Sequence, residues 1–152
     1  MNNIKLIASN HKAKYLYFLS DNLEVGLVLL GTEIKSLREG HCSLDQAYLQ
    51  IVNNECYIYQ MDIPTYSHGN IFNHDPKRVR KVLLHKDQII KLANKVALKG
   101  YTLVPVSCYL KNGIAKLEIA LGKGKNTIDK RETIKKRESE RNIAKIMKNK
   151  NL

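Results

Sequence analysis

Over residues 114–121 Ala115, Leu117, Ile119 and Leu121 alternate with Ile114, Lys116, Glu118 and Ala120. A period of two is that of a strand with one face in a core and the other in solvent. The strand-like run 101–110 precedes it, and Asn112-Gly113 between the two is the strongest short hairpin signal in the chain, because both residue types accept the positive φ of a tight turn. A second hairpin is predicted from 47–52 and 56–63, rich in Tyr, Ile and Val and joined by Asn53-Asn54-Glu55. Residues 15–19 and 25–30 add two strand candidates, for about six strands in all.

Helices fall in the connections. Ile34 and Leu37 share a face within 32–38, and Gly40 supplies a stop, which predicts one or two turns. Over 85–99, Ile89, Leu92, Ala93 and Val96 form an i, i+3, i+4, i+7 stripe with Lys91, Lys95 and Lys99 mostly off it, the pattern of an amphipathic helix laid on a sheet. Residues 66–81 read as a long exposed loop that turns basic. After Gly122 the alternation stops and the composition shifts to Lys, Arg, Glu and Asn with scattered Ile. The expected fold is mainly β, an OB-like six-stranded antiparallel barrel with short flanking helices over residues 1–122. Residues 123–152 are expected to form a basic tail, disordered alone and helical on a partner.

Of the 152 residues 43% are hydrophobic and 26% charged, the balance of an ordinary folding chain. Charge changes the picture more. Residues 1–122 hold 15 basic and 10 acidic groups and 123–152 hold 11 and 4, so net charges of +5 and +7 make up the total of +12. An acidic partner is expected, nucleic acid first and an anionic membrane surface second. Apolar stretches such as 27–30 are far shorter than the roughly 20 residues of a bilayer-spanning helix. Residues 1–10 lack the long apolar region of a secretory signal, and a cytoplasmic location is expected. Cys42, Cys56 and Cys108 are isolated, without the spacing of a zinc or redox motif, and read as reduced, buried thiols.

Catalytic constellations are missing from the sequence. There is no G-x-S-x-G and no H-E-x-x-H, and Gly122-Lys123-Gly124-Lys125 lacks the spacing of a phosphate loop. Glu24, Glu33 and the pair His74-Asp75 have no opposing group fixed by spacing. No enzyme, metal or cofactor is expected. Binding chemistry is better supplied: Lys77, Arg78, Arg80 and Lys81 give four cations in five residues, a density suited to a phosphate backbone or to a solvated face. Tyrosines such as Tyr48, Tyr57, Tyr101 and Tyr109 interleave with polar residues on the strands, as stacking platforms do and as half-buried core rings also do.

Several separate strings carry a resemblance. They are Asn10-His11-Lys12-Ala13-Lys14, Glu24-Val25-Gly26, Gly31-Thr32-Glu33-Ile34-Lys35-Ser36-Leu37-Arg38-Glu39-Gly40, Phe72-Asn73-His74-Asp75-Pro76, Arg80-Lys81-Val82-Leu83-Leu84, and Gly124-Lys125 through Asp129-Lys130-Arg131. Over about residues 10–148 the chain resembles the small protein B family, the SsrA-binding proteins that partner transfer-messenger RNA. The resemblance implies a barrel that holds the tRNA-like domain of that RNA. It implies a tail that becomes a helix on the ribosome, against small-subunit rRNA near the decoding centre and mRNA channel.

It implies further that Asn10, Glu24 and Leu83 lie on or support the RNA-binding face. The cations expected to serve phosphates are Lys12, Lys14, Lys35, Arg38, Lys77, Arg78, Arg80 and Lys81. Gly124, Lys125, Asp129, Lys130, Arg131, Lys135 and Arg137 are expected to form the ribosome-binding segment. A carboxylate at Glu24 can accept from an exocyclic amine or a ribose hydroxyl, which a phosphate contact does not do. Leu83 offers apolar area either to an exposed base or to the core. Tyr15 and His41 depart from the family pattern, which favours His and Lys there.

Overall fold

The computed structural model describes residues 3–67, 73–98 and 100–125. Among them seven strands form one antiparallel sheet in the order β1-β6-β7-β2-β5-β4-β3: β1 (Ile4–Ser9), β2 (Tyr17–Leu27), β3 (Tyr48–Val52), β4 (Glu55–Tyr59), β5 (Arg80–Leu83), β6 (Tyr101–Lys111) and β7 (Ile114–Gly124). The helices are α1 (Ala13–Leu16), α2 (Gly31–Arg38) and α3 (Lys86–Val96). The mainly β, antiparallel design with short helices is the expected one. The sheet curls until β3 packs near β6, although no ladder joins them among the described residues.

Both predicted hairpins form, although the second strand of the first, expected over 56–63, ends at Tyr59, where Gln60 takes φ 59°. Asn53 and Asn54 have φ 51° and 62°, and Asn112 and Gly113 have φ 52° and 80°, the paired left-handed conformations that match the strand twist. Ala115, Leu117, Ile119 and Leu121 lie in the core with Val25, Ile58, Val82 and Cys108. Two strands are new. β1 pairs with β6 along the sheet edge, and β5 pairs with both β2 and β4. Residues 15–19 divide differently from expectation: Tyr15 belongs to α1, whose Ala13 is buried, and β2 starts at Tyr17. The strand read over 25–30 is the end of β2, which continues to Leu27.

Helix α3 buries Ile89 and Leu92, with Val96 packed at the rim of the core, as its stripe requires. Helix α2 buries Leu37 in the core, and the Glu33 carboxylate turns back to accept from the Leu30 N–H at 2.8 Å, closing its first turn. The stretch read as an exposed loop is partly interior. His74 is buried, with Nδ1 at 2.8 Å from Thr32 Oγ1 and Nε2 at 2.7 Å from the Ile63 carbonyl. Beside it Asp75 accepts from the Lys77 N–H at 3.0 Å, an Asx turn. Strand β7 runs two residues past Gly122, whose place between Val104 and Tyr17 leaves no room for a Cβ: one built there lies 2.6 Å from Val104 Cγ2.

Candidate nucleic-acid interface

Register places the outward face of the sheet. Glu24 on β2 faces Glu118 on β7, and Gly26 faces Lys116 on one side and Leu83 of β5 on the other. On β6 the same face carries Tyr109 opposite Lys116, and Lys111 opposite Ile114, with Leu6 and Ile4 of β1 beyond them. Glu24 is tied diagonally across β7: the Tyr109 hydroxyl donates to Oε2 at 2.5 Å and Lys111 Nζ approaches Oε1 at 3.4 Å. The Tyr109 hydrogen bond is the main cause that holds the Glu24 carboxyl below its ordinary range; burial opposes it, and Lys111 and Lys116 add to the lowering. Burial and the Glu24 hydrogen bond push the Tyr109 phenol up, so the phenol stays a donor and the carboxylate an ionised acceptor.

Leu83 is 51% exposed and packs its side chain over Gly26, where a Cβ would meet Leu83 Cδ1 at 3.3 Å. It is a surface group resting on bare backbone. Asn22 and Ser107 donate to Glu118 Oε1 and Oε2 at 2.8 and 3.2 Å, so each oxygen of that carboxylate already has one donor. Farther along, a hollow of about 490 Å³ is lined by Leu6, Asn10, His11, Lys14, Ser107 and Glu118. Asn10 itself stitches the β1 end to β6, donating from Nδ2 to the Pro105 carbonyl at 2.8 Å. The structure therefore gathers Asn10, Lys14, Glu24 and Leu83 along one continuous side of the sheet, with Lys12 exposed just before α1.

The remaining cations are dispersed. Lys35 lies over the Tyr66 ring at 5.7 Å, Arg38 is exposed at the end of α2, and Lys77 is exposed before β5. Lys81 pairs with Glu55 at 3.0 Å beside Leu83. Arg80 does not fit a phosphate contact. It is fully buried, its Nε pairs with Glu33, and its Nη1 and Nη2 donate to the Met61 and Pro76 carbonyls at 2.6 and 3.0 Å. Its role is interior because β-strand alternation turns residue 80 inward with Val82, while Lys81 and Leu83 turn out. Arg78 shares Glu33 at 2.7 Å and keeps a third of its side chain exposed.

Gly124 ends β7 opposite Tyr17, and Lys125 donates from its backbone to the Leu16 carbonyl at 3.0 Å. Asp129, Lys130, Arg131, Lys135 and Arg137 lie outside the described residues. Tyr15 is half-buried in α1, and His41 is exposed, 3.9 Å from Glu39. Sequence reading missed Tyr109 and Lys111 as partners of Glu24. Only the Tyr-x-Lys spacing on one strand face, read with the cross-strand register, could have revealed them.

The described residues hold no cluster of three or more His, Cys, Asp or Glu that could bind a metal, and no helix among them is long and apolar enough to cross a membrane. A curled antiparallel sheet that sets hydrogen-bonding groups, exposed apolar side chains and lysines on one outward face defines a nucleic-acid-binding β module. The comparisons specify which. The SmpB protein family model matches residues 7–149. The chain is 50% identical over 149 residues to the SsrA-binding protein of Lachnoclostridium phytofermentans, covering 98% of this chain and 97% of that protein. It is 51% identical over 144 residues to the SsrA-binding protein of Bacillus mycoides, with 95% and 93% covered. A solved structure described as "tmRNA-SmpB: a journey to the center of the bacterial ribosome" superposes with a TM-score of 0.66 at 36% identity, covering 83% of this chain and 92% of that one. The chain belongs to the SmpB protein family.

Proposed function

We propose that this chain binds the tRNA-like domain of transfer-messenger RNA and delivers it to stalled ribosomes for trans-translation, acting in the cytoplasm as a binding protein without catalysis of its own. The observation that carries this reading is the near full-length identity to SsrA-binding proteins. The sheet face suits it. Glu24 is an acceptor held ionised and oriented by Tyr109 and Lys111. Leu83 offers apolar area at the rim of a base, and Lys12, Lys14, Lys81 and Lys116 lie around them for phosphates. Asn10 supports the face through its bond to Pro105.

The tail from Gly124, including Asp129, Lys130, Arg131, Lys135 and Arg137, serves the ribosome in this reading: its positive charge seeks rRNA, and ordering it on that surface couples folding to binding. Affinity for the isolated tRNA-like RNA, measured against salt, tests the first half. Neutralising about five phosphates gives a log–log slope of about −3.5 to −4.5. Glu24→Gln should lower affinity without changing that slope, since it removes a base or ribose contact. A flat salt response, or equal affinity for duplex DNA, contradicts the proposal.

A further inference from the structure

All three cysteines are free thiols, and their surroundings differ. Cys108 lies on β6 between Ala8 of β1 and Leu117 of β7, fully buried in the core. Cys42 stands between the end of α2 and Ser43, which bridges to Asp62 on the way to β3. It is half-buried and packs against the same core cluster, with its thiol hydrogen-bonded to that of Cys108. In sheet order β6 and β3 are remote, and only the curl of the sheet brings their surroundings together. Cys56 on β4 is different: it is buried, and burial alone pushes its thiol up to about 11.

We infer that Cys42 and Cys108 form a redox-modification site, which a low-molecular-weight disulfide oxidises to an intramolecular bridge that closes the curl of the sheet covalently. Cys42 is the point of entry, because it alone of the three cysteines is not fully buried. Its thiolate attacks one sulfur of the small disulfide; that S–S bond breaks, and the first small thiol leaves and takes up a proton. Cys108 then gives its proton to water while its sulfur attacks Cys42 Sγ, and the second small thiol leaves and is protonated. Two protein thiols are oxidised and one disulfide is reduced. Contact decides the product, since the second step is intramolecular between sulfurs that already touch.

Contact also slows the first step. The Cys108 hydrogen bond and burial push the Cys42 thiol up, outweighing the opposite effect of the Arg80 charge, so the attacking thiolate is scarce. The pair therefore stays reduced at rest and answers lasting rather than brief oxidation. Once formed, the bridge spans β3, β4, β5 and α3 and ties the segment before β3 to β6, where no ladder joins the two strands among the described residues. It lies on the core side of β6, so Tyr109 and Glu24 on the outward face keep their places.

The pairing itself is the readout. Reduced full-length protein is incubated with excess glutathione disulfide, remaining thiols are alkylated, and linked peptides are mapped by mass spectrometry; a parallel sample is oxidised in urea, where the three cysteines pair by chance. Native protein should give Cys42–Cys108 as the dominant disulfide, over hours, with Cys56 alkylated. The urea sample should give mixed pairings and glutathione adducts. Cys56→Ala should leave the native product unchanged, whereas Cys108→Ala, which keeps that position apolar, should stop at a Cys42–glutathione mixed disulfide. Bridged protein should melt on the order of 10 °C above the reduced form, the scale of a bridge over so long a loop, and dithiothreitol should reverse the shift.

A native pairing pattern equal to that in urea, a lasting glutathione adduct on wild-type Cys42, a disulfide-linked dimer as the main product, or no oxidation of native protein overturns the inference. So does a bridged protein that melts no higher than the reduced one. Should Cys108→Ala unfold, the maps of wild type and Cys56→Ala decide the matter by the same criteria.

Discussion

Arg80 and Glu24 show how the same kind of charged pair is interior in one place and turned outward in another. Glu33 and Arg80 are both fully buried and hold each other, so neither is free for a ligand. Burial pushes the Glu33 carboxyl up, but hydrogen bonds from Arg78 and the Leu30 N–H, together with Arg80, outweigh it and leave it below the ordinary range. A carboxyl depressed in the folded state stabilises the protein above its unfolded value, and that contribution disappears as pH falls through the depressed one. Glu33→Gln should therefore cost about 3–5 kcal/mol near neutral pH by leaving Arg80 buried without its counter-charge. In urea unfolding the gap from wild type should be constant from neutral pH down to the ordinary carboxylate range and narrow only below it; a gap that never narrows would mean shape, not charge. Tyr109→Phe probes the outward pair. It removes one donor from Glu24, so RNA affinity should fall roughly three- to tenfold, the worth of one hydrogen bond. The Glu24 carboxyl, followed by NMR, should titrate at higher pH than in wild type, and acid should abolish binding correspondingly earlier.

Elements differ in how much of their position is local. The two hairpins were legible because Asn53-Asn54 and Asn112-Gly113 carry their turn conformations in their own chemistry. Helix α3 was legible because its stripe is periodic over three turns. Strands β1 and β5 were not: each is short, and Ile4, Leu6 and Leu83 present apolar side chains to solvent, so neither shows a clean alternation. Only pairing with β6, β2 and β4 makes them strands. The candidate site divides the same way. Glu24 and Leu83 are far apart in sequence, and it is the pairing of Gly26 with Leu83 that brings them together; the cations at 77–81 were counted as one cluster because alternation was not applied to Arg80. The bulge in β2, which carries one residue more than β7 between Ser20 opposite Leu121 and Leu23 opposite Ile119, is equally invisible without a partner strand. Deleting Asp21 should remove the extra residue, force residues 17–20 to the wrong face, and lower the melting temperature cooperatively. Asp21→Asn keeps a residue that accepts φ 53°, loses only the exposed pair with Lys95, and should melt as wild type does. Gly122→Ala should cost about 1–3 kcal/mol, because Val104 and Tyr17 already occupy the space of the new methyl.

Taken as one body, the molecule separates its charge from its shape. Residues 1–122 carry the sheet face with 15 basic against 10 acidic groups, and some of those cations are already paired within the fold, Arg80 and Arg78 with Glu33 and Lys95 with Asp21. Residues 123–152 hold 11 basic against 4 acidic groups. A surface that recognises one RNA by fitted hydrogen bonds needs few phosphate contacts, whereas a segment that must find an rRNA channel gains from long-range attraction. The two requirements conflict if one segment serves both, since a strongly basic recognition face would also hold unrelated RNA. This division leads to a prediction for the chain truncated after Lys125, the last described residue, whose backbone N–H donates to the Leu16 carbonyl. Its affinity for the isolated tRNA-like RNA, and the salt slope of that affinity, should match the full chain within about twofold, because no phosphate contact of the face is lost. Peptide tagging on stalled ribosomes should be abolished, and charge reversal at Lys130 and Arg131 in the full chain should act in the same direction by turning attraction into repulsion. A truncated protein with a shallower salt slope and weaker RNA binding would place part of the recognition surface in the tail, and the separation of charge from shape would not hold.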